Sequence, residues 1–172
     1  MLRWQSVSGK RYMKINADDF RKALGNFAAG VTVVTGKLPN GAPAGLTVTA
    51  FSSVSLEPPL VMVCIGKQTG CLDAFEKGDA FAVNLLSEDQ QELSNLFAKR
   101  DADKFAGLDI ESGETGCPLI KGSLAQIECR KEAVHEAGDH FIYIGRIVSL
   151  KASDEGKPLL YFRGAYQSMA DA

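Results

Sequence analysis

Cysteine and histidine are scarce: the 172-residue chain holds 4 of the first and 2 of the second. Cys64, Cys71, Cys117 and Cys129 contain no Cys-x-x-Cys pair. A zinc set would have to be completed by His135 and His140 alone, so a metal site is not expected. The thiols read as reduced structural residues of a cytoplasmic protein. Charge of one sign is also missing. Lys and Arg number 19 against 21 Asp and Glu, a net charge of -2. That excludes electrostatic docking on nucleic acid or on an anionic membrane. No apolar run approaches the ~20 residues of a membrane span. Met1 to Lys14 is polar, without the apolar core of a signal peptide. Residues 1–15 are expected to be a flexible tail and residues 16–172 one domain. There is no Gly-x-Gly-x-x-Gly after a strand and no Gly-x-x-x-x-Gly-Lys-[Ser/Thr] loop. Any nucleotide chemistry must therefore use a scaffold other than the doubly wound sheet.

What is present is an average globular composition, 45% hydrophobic and 23% charged, enough to build a core. Asn16 or Asp18 can cap a helix whose Phe20, Leu24 and Phe27 share one apolar face, with Gly30 ending it. Val31-Thr32-Val33-Val34-Thr35 is a β-branched strand, and Asn40-Gly41 signals a hairpin to a partner over Ala42–Ala50. Further strands are expected at Leu60–Ile65, Ala80–Leu86, Ser123–His135, His140–Leu150 and Pro158–Phe162. Short helices are expected around Leu72–Phe75 and after Ser87. Leu124, Gln126, Glu128 and Arg130 alternate against Ala125, Ile127 and Cys129, the period of a half-buried strand. Residues 99–117 read as irregular. This pattern predicts a mainly β protein, an antiparallel barrel with a few peripheral helices.

The run from Ala44 to Ser55 carries five small hydroxyl residues ahead of the apolar strand Leu60–Ile65. Hydroxyls and backbone N–H groups on an extended segment can bond the edge of a flat polar heterocycle, and the strand can wall off one ring face. The plainer alternative is that Thr and Ser suit strands and turns.

Six pieces in order carry a resemblance. They are Phe20-Arg21-x-x-Leu24-x-x-Phe27-x-x-Gly30-Val31-Thr32-Val33-Val34-Thr35; Gly45-Leu46-Thr47-Val48-Thr49-Ala50-Phe51-x-Ser53-Val54-Ser55-x-x-Pro58-Pro59; Phe81-Ala82-Val83-Asn84-x-Leu86; Gln90 with Phe97-Ala98; Gly138-Asp139-His140 with Ile144-Gly145; and Leu160-Tyr161-x-x-Gly164-x-Tyr166. Over residues 18–166 the chain resembles the short flavin reductases with the FMN-binding split-barrel fold. The resemblance implies a homodimer that binds FMN or FAD and takes a hydride from NADH or NADPH. The reduced flavin would feed a flavin-dependent monooxygenase.

The resemblance also implies site residues. Gly45, Leu46, Thr47, Val48, Thr49 and Ala50 would meet the isoalloxazine edge and ribityl chain, with Ser53 and Ser55 nearby. Ser55 could instead make a turn bond ahead of Pro58. Cys64 and Ile65 end the strand that leads to the loop. There Gly66, Lys67 and Thr69 suit a phosphate, unless the loop is merely an exposed cap. Arg100 and Lys104 could add charge to that phosphate or simply be solvated. His140 matches the family's histidine beside the nicotinamide and would bind and orient it; otherwise it is a hairpin residue bonded to Asp139. Phe27, Arg163 and Tyr166 match places that contact the dinucleotide, Arg163 through a forked contact to phosphate oxygens. Two other functions stay open. One is a flavoprotein that holds its FMN tightly and reduces another acceptor. The other is a non-catalytic split barrel that binds flavin or haem.

Overall fold

The computed structural model describes residues 4–7, 10–13, 15–100 and 102–170. Within the segment read as a tail, β1 (Trp4–Val7) and β2 (Lys10–Met13) pair antiparallel as a sheet of their own. Helix α1 (Ala17–Leu24) starts where Asn16 Oδ1 accepts the Asp19 amide at 2.8 Å, with Asp18 and Asp19 at the positive end of its dipole. The helix stops at Gly25, one turn short of the expected Gly30. Its apolar face is not buried: Phe20 and Leu24 are more than half exposed, and Phe27, in the bend beyond, is 79% exposed.

The chain continues through β3 (Ala29–Gly30), β4 (Thr32–Lys37), β5 (Pro43–Val48), β6 (Phe51–Ser55) and β7 (Leu60–Gly66). Then come α2 (Leu72–Glu76), β8 (Ala80–Leu85), α3 (Gln91–Ala98), β9 (Ile110–Ser112) and β10 (Pro118–Ile120). It ends in β11 (Ala125–Ala137), β12 (His140–Ala152), β13 (Leu160–Phe162) and β14 (Ala165–Gln167). Gly41 takes φ +84° in the turn between β4 and β5, a backbone shape that explains the Asn-Gly signal.

Seven strands form one antiparallel sheet in the order β5-β4-β8-β11-β12-β7-β6. Its two edges are consecutive in the chain, joined only by Thr49-Ala50. Two linking residues span at most about 11 Å. The sheet must therefore curl until its edges approach, around a core that includes Val34, Val48, Val63, Ile65, Phe81 and Tyr143. β5 and β6 do not pair with each other, so the barrel stays split along that seam. The Cys64 amide, donating to Ala50 O at 3.0 Å, pins the link to β7. A second core, with Val31, Val33, Leu86 and Phe97, sits outside the barrel under α3. β4 is thus buried on both faces, which is why Thr32–Thr35 is a β-branched run rather than an alternating one.

Two expectations need correction. The 99–117 stretch is not wholly irregular, because β9 lies in it and pairs with β10. All three β9 residues are exposed, so no alternation marks it. In β11 the apolar face packs as expected, with Cys129 in the barrel core and Ile127 against it, but Gln126 and Glu128 on the opposite face are buried as well. Their polarity is fully used. Gln126 Nε2 donates to Ile120 O at 2.7 Å. The Glu128 carboxylate accepts from the amides of Glu114 (3.1 Å) and Thr115 (2.8 Å) and from the Thr115 hydroxyl (2.7 Å). A buried carboxylate is tolerated only with such donors, and here they tie the 113–120 segment to the barrel.

Candidate active site

β5 bonds β4 along one side only, and its free edge faces a cavity of about 800 Å³, inside the usual range for small-molecule sites. The walls are β5, the end of β7 with the loop after it, the end of α3 with residues 99, 100 and 102–105, and the start of β12. All of Gly45, Leu46, Thr47, Val48, Thr49 and Ala50 line it, as do Cys64, Gly66, Thr69, Arg100, Lys104 and His140. Residues distant in sequence therefore meet at the split seam.

Gly45 is required by close packing. A Cβ there would lie 2.8 Å from Phe97 Cε1 and 3.1 Å from Val34 O. Its carbonyl accepts Lys104 Nζ at 3.1 Å and the Cys71 thiol at 3.7 Å. Lys104 also donates to Phe97 O at 2.9 Å, so one ammonium clamps α3 against β5. Burial lowers the Lys104 pKa, opposed by the charge of the neighbouring Cys71. Thr47 adds a second tie, donating its hydroxyl to Ser94 O at 2.6 Å.

His140 opens β12 in register with Gly66. Its Nδ1 lies 2.7 Å from Asp139 Oδ1. The hydrogen bond and charge of His140 hold the Asp139 carboxyl below its usual range. An ionised carboxylate only accepts, so Nδ1 carries the proton. Nε2 is left over Gly66, where an added Cβ would sit 3.6 Å away. That nitrogen accepts when the ring is neutral and donates when it is protonated.

Other expected residues stand elsewhere. Ile65 points into the barrel core. Lys67 does not line the cavity; it pairs with Glu136 and lies 5.2 Å over the Phe141 ring. Ser53 and Ser55 are on β6, outside the lining. Phe27, Arg163 and Tyr166 gather around the β13–β14 hairpin instead. Arg163 has φ 50°, gives its amide to Gly25 O at 2.8 Å and gives Nε to Asn26 Oδ1 at 2.9 Å. The Tyr166 ring packs edge-on to Tyr161 at 5.3 Å. Sequence reasoning missed Cys71, Phe97 and Phe105 as cavity residues. Phe97 reads as core because its helical spacing is that of core, and it does both. Among the described residues, no helix is long and apolar enough to cross a membrane, and no cluster of His, Cys, Asp or Glu could hold a metal ion.

Comparison with known proteins agrees with this geometry. The flavin reductase-like domain family matches residues 24–170. The reductase subunit HsaB of a flavin-dependent monooxygenase from Rhodococcus jostii (strain RHA1) is 44% identical over 147 residues, 86% of this chain and 75% of that protein. The FMN reductase (NADH) SmoA of Agrobacterium fabrum is 45% identical over 151 residues, 88% of this chain and 85% of that one. The solved structure of flavin reductase PheA2 in its native state superposes with a TM-score of 0.84 at 42% identity, covering 91% of this chain and 100% of that one.

Proposed function

The chain belongs to the flavin reductase-like family, and from that membership we propose that it is an NAD(P)H:flavin oxidoreductase whose cavity beside β5 receives FMN or FAD. The carrying observation is the cavity itself: a free strand edge with hydroxyls, two cations and a histidine around about 800 Å³. Those groups suit a flat ring with a polar rim and a phosphate tail. When bound, the flavin supplies the ring that accepts the hydride.

The chain supplies position. The outward backbone groups of β5, with the Thr47 and Thr49 hydroxyls, orient the ring rim. Arg100 and Lys104, with the backbone of the Gly66–Gly70 loop, meet the phosphate. His140, steadied by Asp139, orients the nicotinamide through Nε2. Hydride transfer mainly needs two rings held in contact and aligned, so binding and orientation are the main catalytic work. Phe27 and the terminal nitrogens of Arg163 offer a second surface, a ring face and a cation, to the dinucleotide. Reduced flavin then passes to a flavin-dependent monooxygenase component, the role that the name of HsaB assigns to that relative. The exposed Phe20, Leu24 and Phe27 give a second copy of the chain a surface to cover, supporting a homodimer. Four free thiols suit a reducing cytoplasm.

The test is NADH oxidation by the purified protein with added FMN and then FAD. The expected result is a rate that saturates with free flavin and falls sharply in His140→Ala. No oxidation with either flavin, or with NADPH, by a protein that still binds flavin would leave only a binding module.

A further inference from the structure

We propose that Tyr166 is a positioning residue for the flavin-facing strand, acting through α3, and not a ligand of the nicotinamide dinucleotide. The inference rests on the flavin reading above. Its basis is a hydrogen-bond chain in which every proton has one possible direction. Thr47 Oγ1 lies 2.6 Å from Ser94 O, a carbonyl that can only accept. Tyr166 Oη lies 3.0 Å from Asn95 Oδ1, which also only accepts, so the phenol proton goes there. The remaining contact, 2.9 Å between Ser94 Oγ and Tyr166 Oη, must then run from the Ser94 hydroxyl to the phenol oxygen. Ser94 is fully buried, and leaving its hydroxyl without a partner is costly.

Two consequences follow. The Tyr166 phenol has spent its only proton and faces α3, so little of it remains for a dinucleotide. The Thr47 hydroxyl has spent its proton too. Toward the cavity it offers lone pairs alone, so the group it takes there is a donor. On a flavin that means the ring imide N–H or a ribityl hydroxyl. The C-terminal hairpin thereby fixes both the place and the polarity of a flavin contact through residues about 70 and 120 positions away along the chain, a coupling carried by one packed helix.

The experiment titrates FMN by fluorescence quenching and separately measures the NADH KM at saturating flavin. It compares wild type with Tyr166→Phe, Ser94→Ala, both together, Thr47→Val and Thr47→Ser. Tyr166→Phe is expected to raise the FMN Kd about three- to ten-fold, the worth of one neutral hydrogen bond, with the NADH KM unchanged. The double variant should match the larger single one, because both break the same chain. Thr47→Ser should bind like wild type and Thr47→Val should not. Wild-type preference for FMN over 3-methyl-FMN that is lost in Thr47→Val identifies the imide N–H. Equal loss with both flavins identifies the ribityl hydroxyl. A raised NADH KM with an unchanged FMN Kd in Tyr166→Phe would overturn the proposal and make Tyr166 a nicotinamide ligand. A lowered melting temperature with unchanged FMN Kd would overturn it in favour of a purely structural role. Failure of the wild type to bind FMN or FAD would be a separate result, overturning the flavin reading itself.

Discussion

Gly45→Ala adds one methyl at the point where strand, helix and cavity meet. The new carbon would lie 2.8 and 3.2 Å from two carbons of the Phe97 ring and 3.1 Å from the Val34 carbonyl oxygen. None of these can yield easily. The oxygen is backbone of β4, buried on both faces. The ring is 1% exposed and is held edge-on by Phe105 at 5.1 Å. Overpacking of this kind costs about 1–3 kcal/mol. Losing the glycine's freedom in the unfolded chain returns about 0.4–1 kcal/mol. The net expectation is a loss of about 1 kcal/mol, the difference between the midpoints of those two ranges. Flavin affinity should fall with it, because Lys104 bridges Gly45 O and Phe97 O and cannot keep both bonds if the helix moves. Gly36→Ala, on the adjacent strand, is the matched control, since its added carbon would meet nothing closer than 3.5 Å. Urea unfolding with m-values compared, plus FMN titration of both variants, measures the difference. Adding Phe97→Leu to Gly45→Ala should recover part of the stability by vacating the overlap. If Gly45→Ala and Gly36→Ala unfold at the same urea concentration and bind FMN alike, the close-packing argument is wrong.

Three more expectations can be checked. Burial alone would raise the Glu128 pKa, but the Thr115 amide and hydroxyl and the Glu114 amide outweigh it and hold the carboxyl below its usual range. A depressed folded pKa gives stability that is present above the unfolded value of about 4.3 and lost as pH falls through the folded one. Glu128→Gln should therefore lower stability at pH 7 by about 1–3 kcal/mol, the cost of breaking charged hydrogen bonds at a buried site. The gap to wild type should close in acid unfolding curves; a gap constant down to pH 2 would contradict this. Tyr143 is buried with no partner for its hydroxyl among the described residues, and burial pushes its pKa up to about 12. Tyr143→Phe should be neutral or stabilising by about 1 kcal/mol in thermal unfolding, whereas a clear loss would reveal a hidden partner. Cys64 and Cys71 line the cavity, while Cys117 and Cys129 are buried away from it. Saturating FMN should slow maleimide labelling of the first two by mass spectrometry and leave the other two unlabelled throughout. Equal labelling of Cys71 with and without FMN would place the flavin elsewhere.

Local order was legible in the sequence because local chemistry sets it. Asn16 caps α1 through its own side chain, Asn40-Gly41 permits the positive φ of a tight hairpin, and Ser87 with Gln90 makes a capping box before α3. Each depends on residues no more than three positions apart. The segment from Gly45 to Ala50, whose hydroxyls and glycine lie close together in the sequence, lines the cavity. Tertiary structure decided the rest. Alternation in β11 marks two faces but not how each is covered, and Gln126 and Glu128 are buried opposite the barrel core because the Ile120 carbonyl takes the first and the Glu114 and Thr115 amides meet the second. The apolar stripe of α1 is plain in the sequence, yet this fold leaves it uncovered. Lys67, within the cavity loop, turned to Glu136, while Lys104 was drawn to two carbonyls that no spacing relates to it. Which polar group pairs with which depends on where the curled sheet brings its two edges. The sequence determines that buried donors and acceptors need partners; only the curl that brings the β5 and β6 edges together determines which partner each one finds.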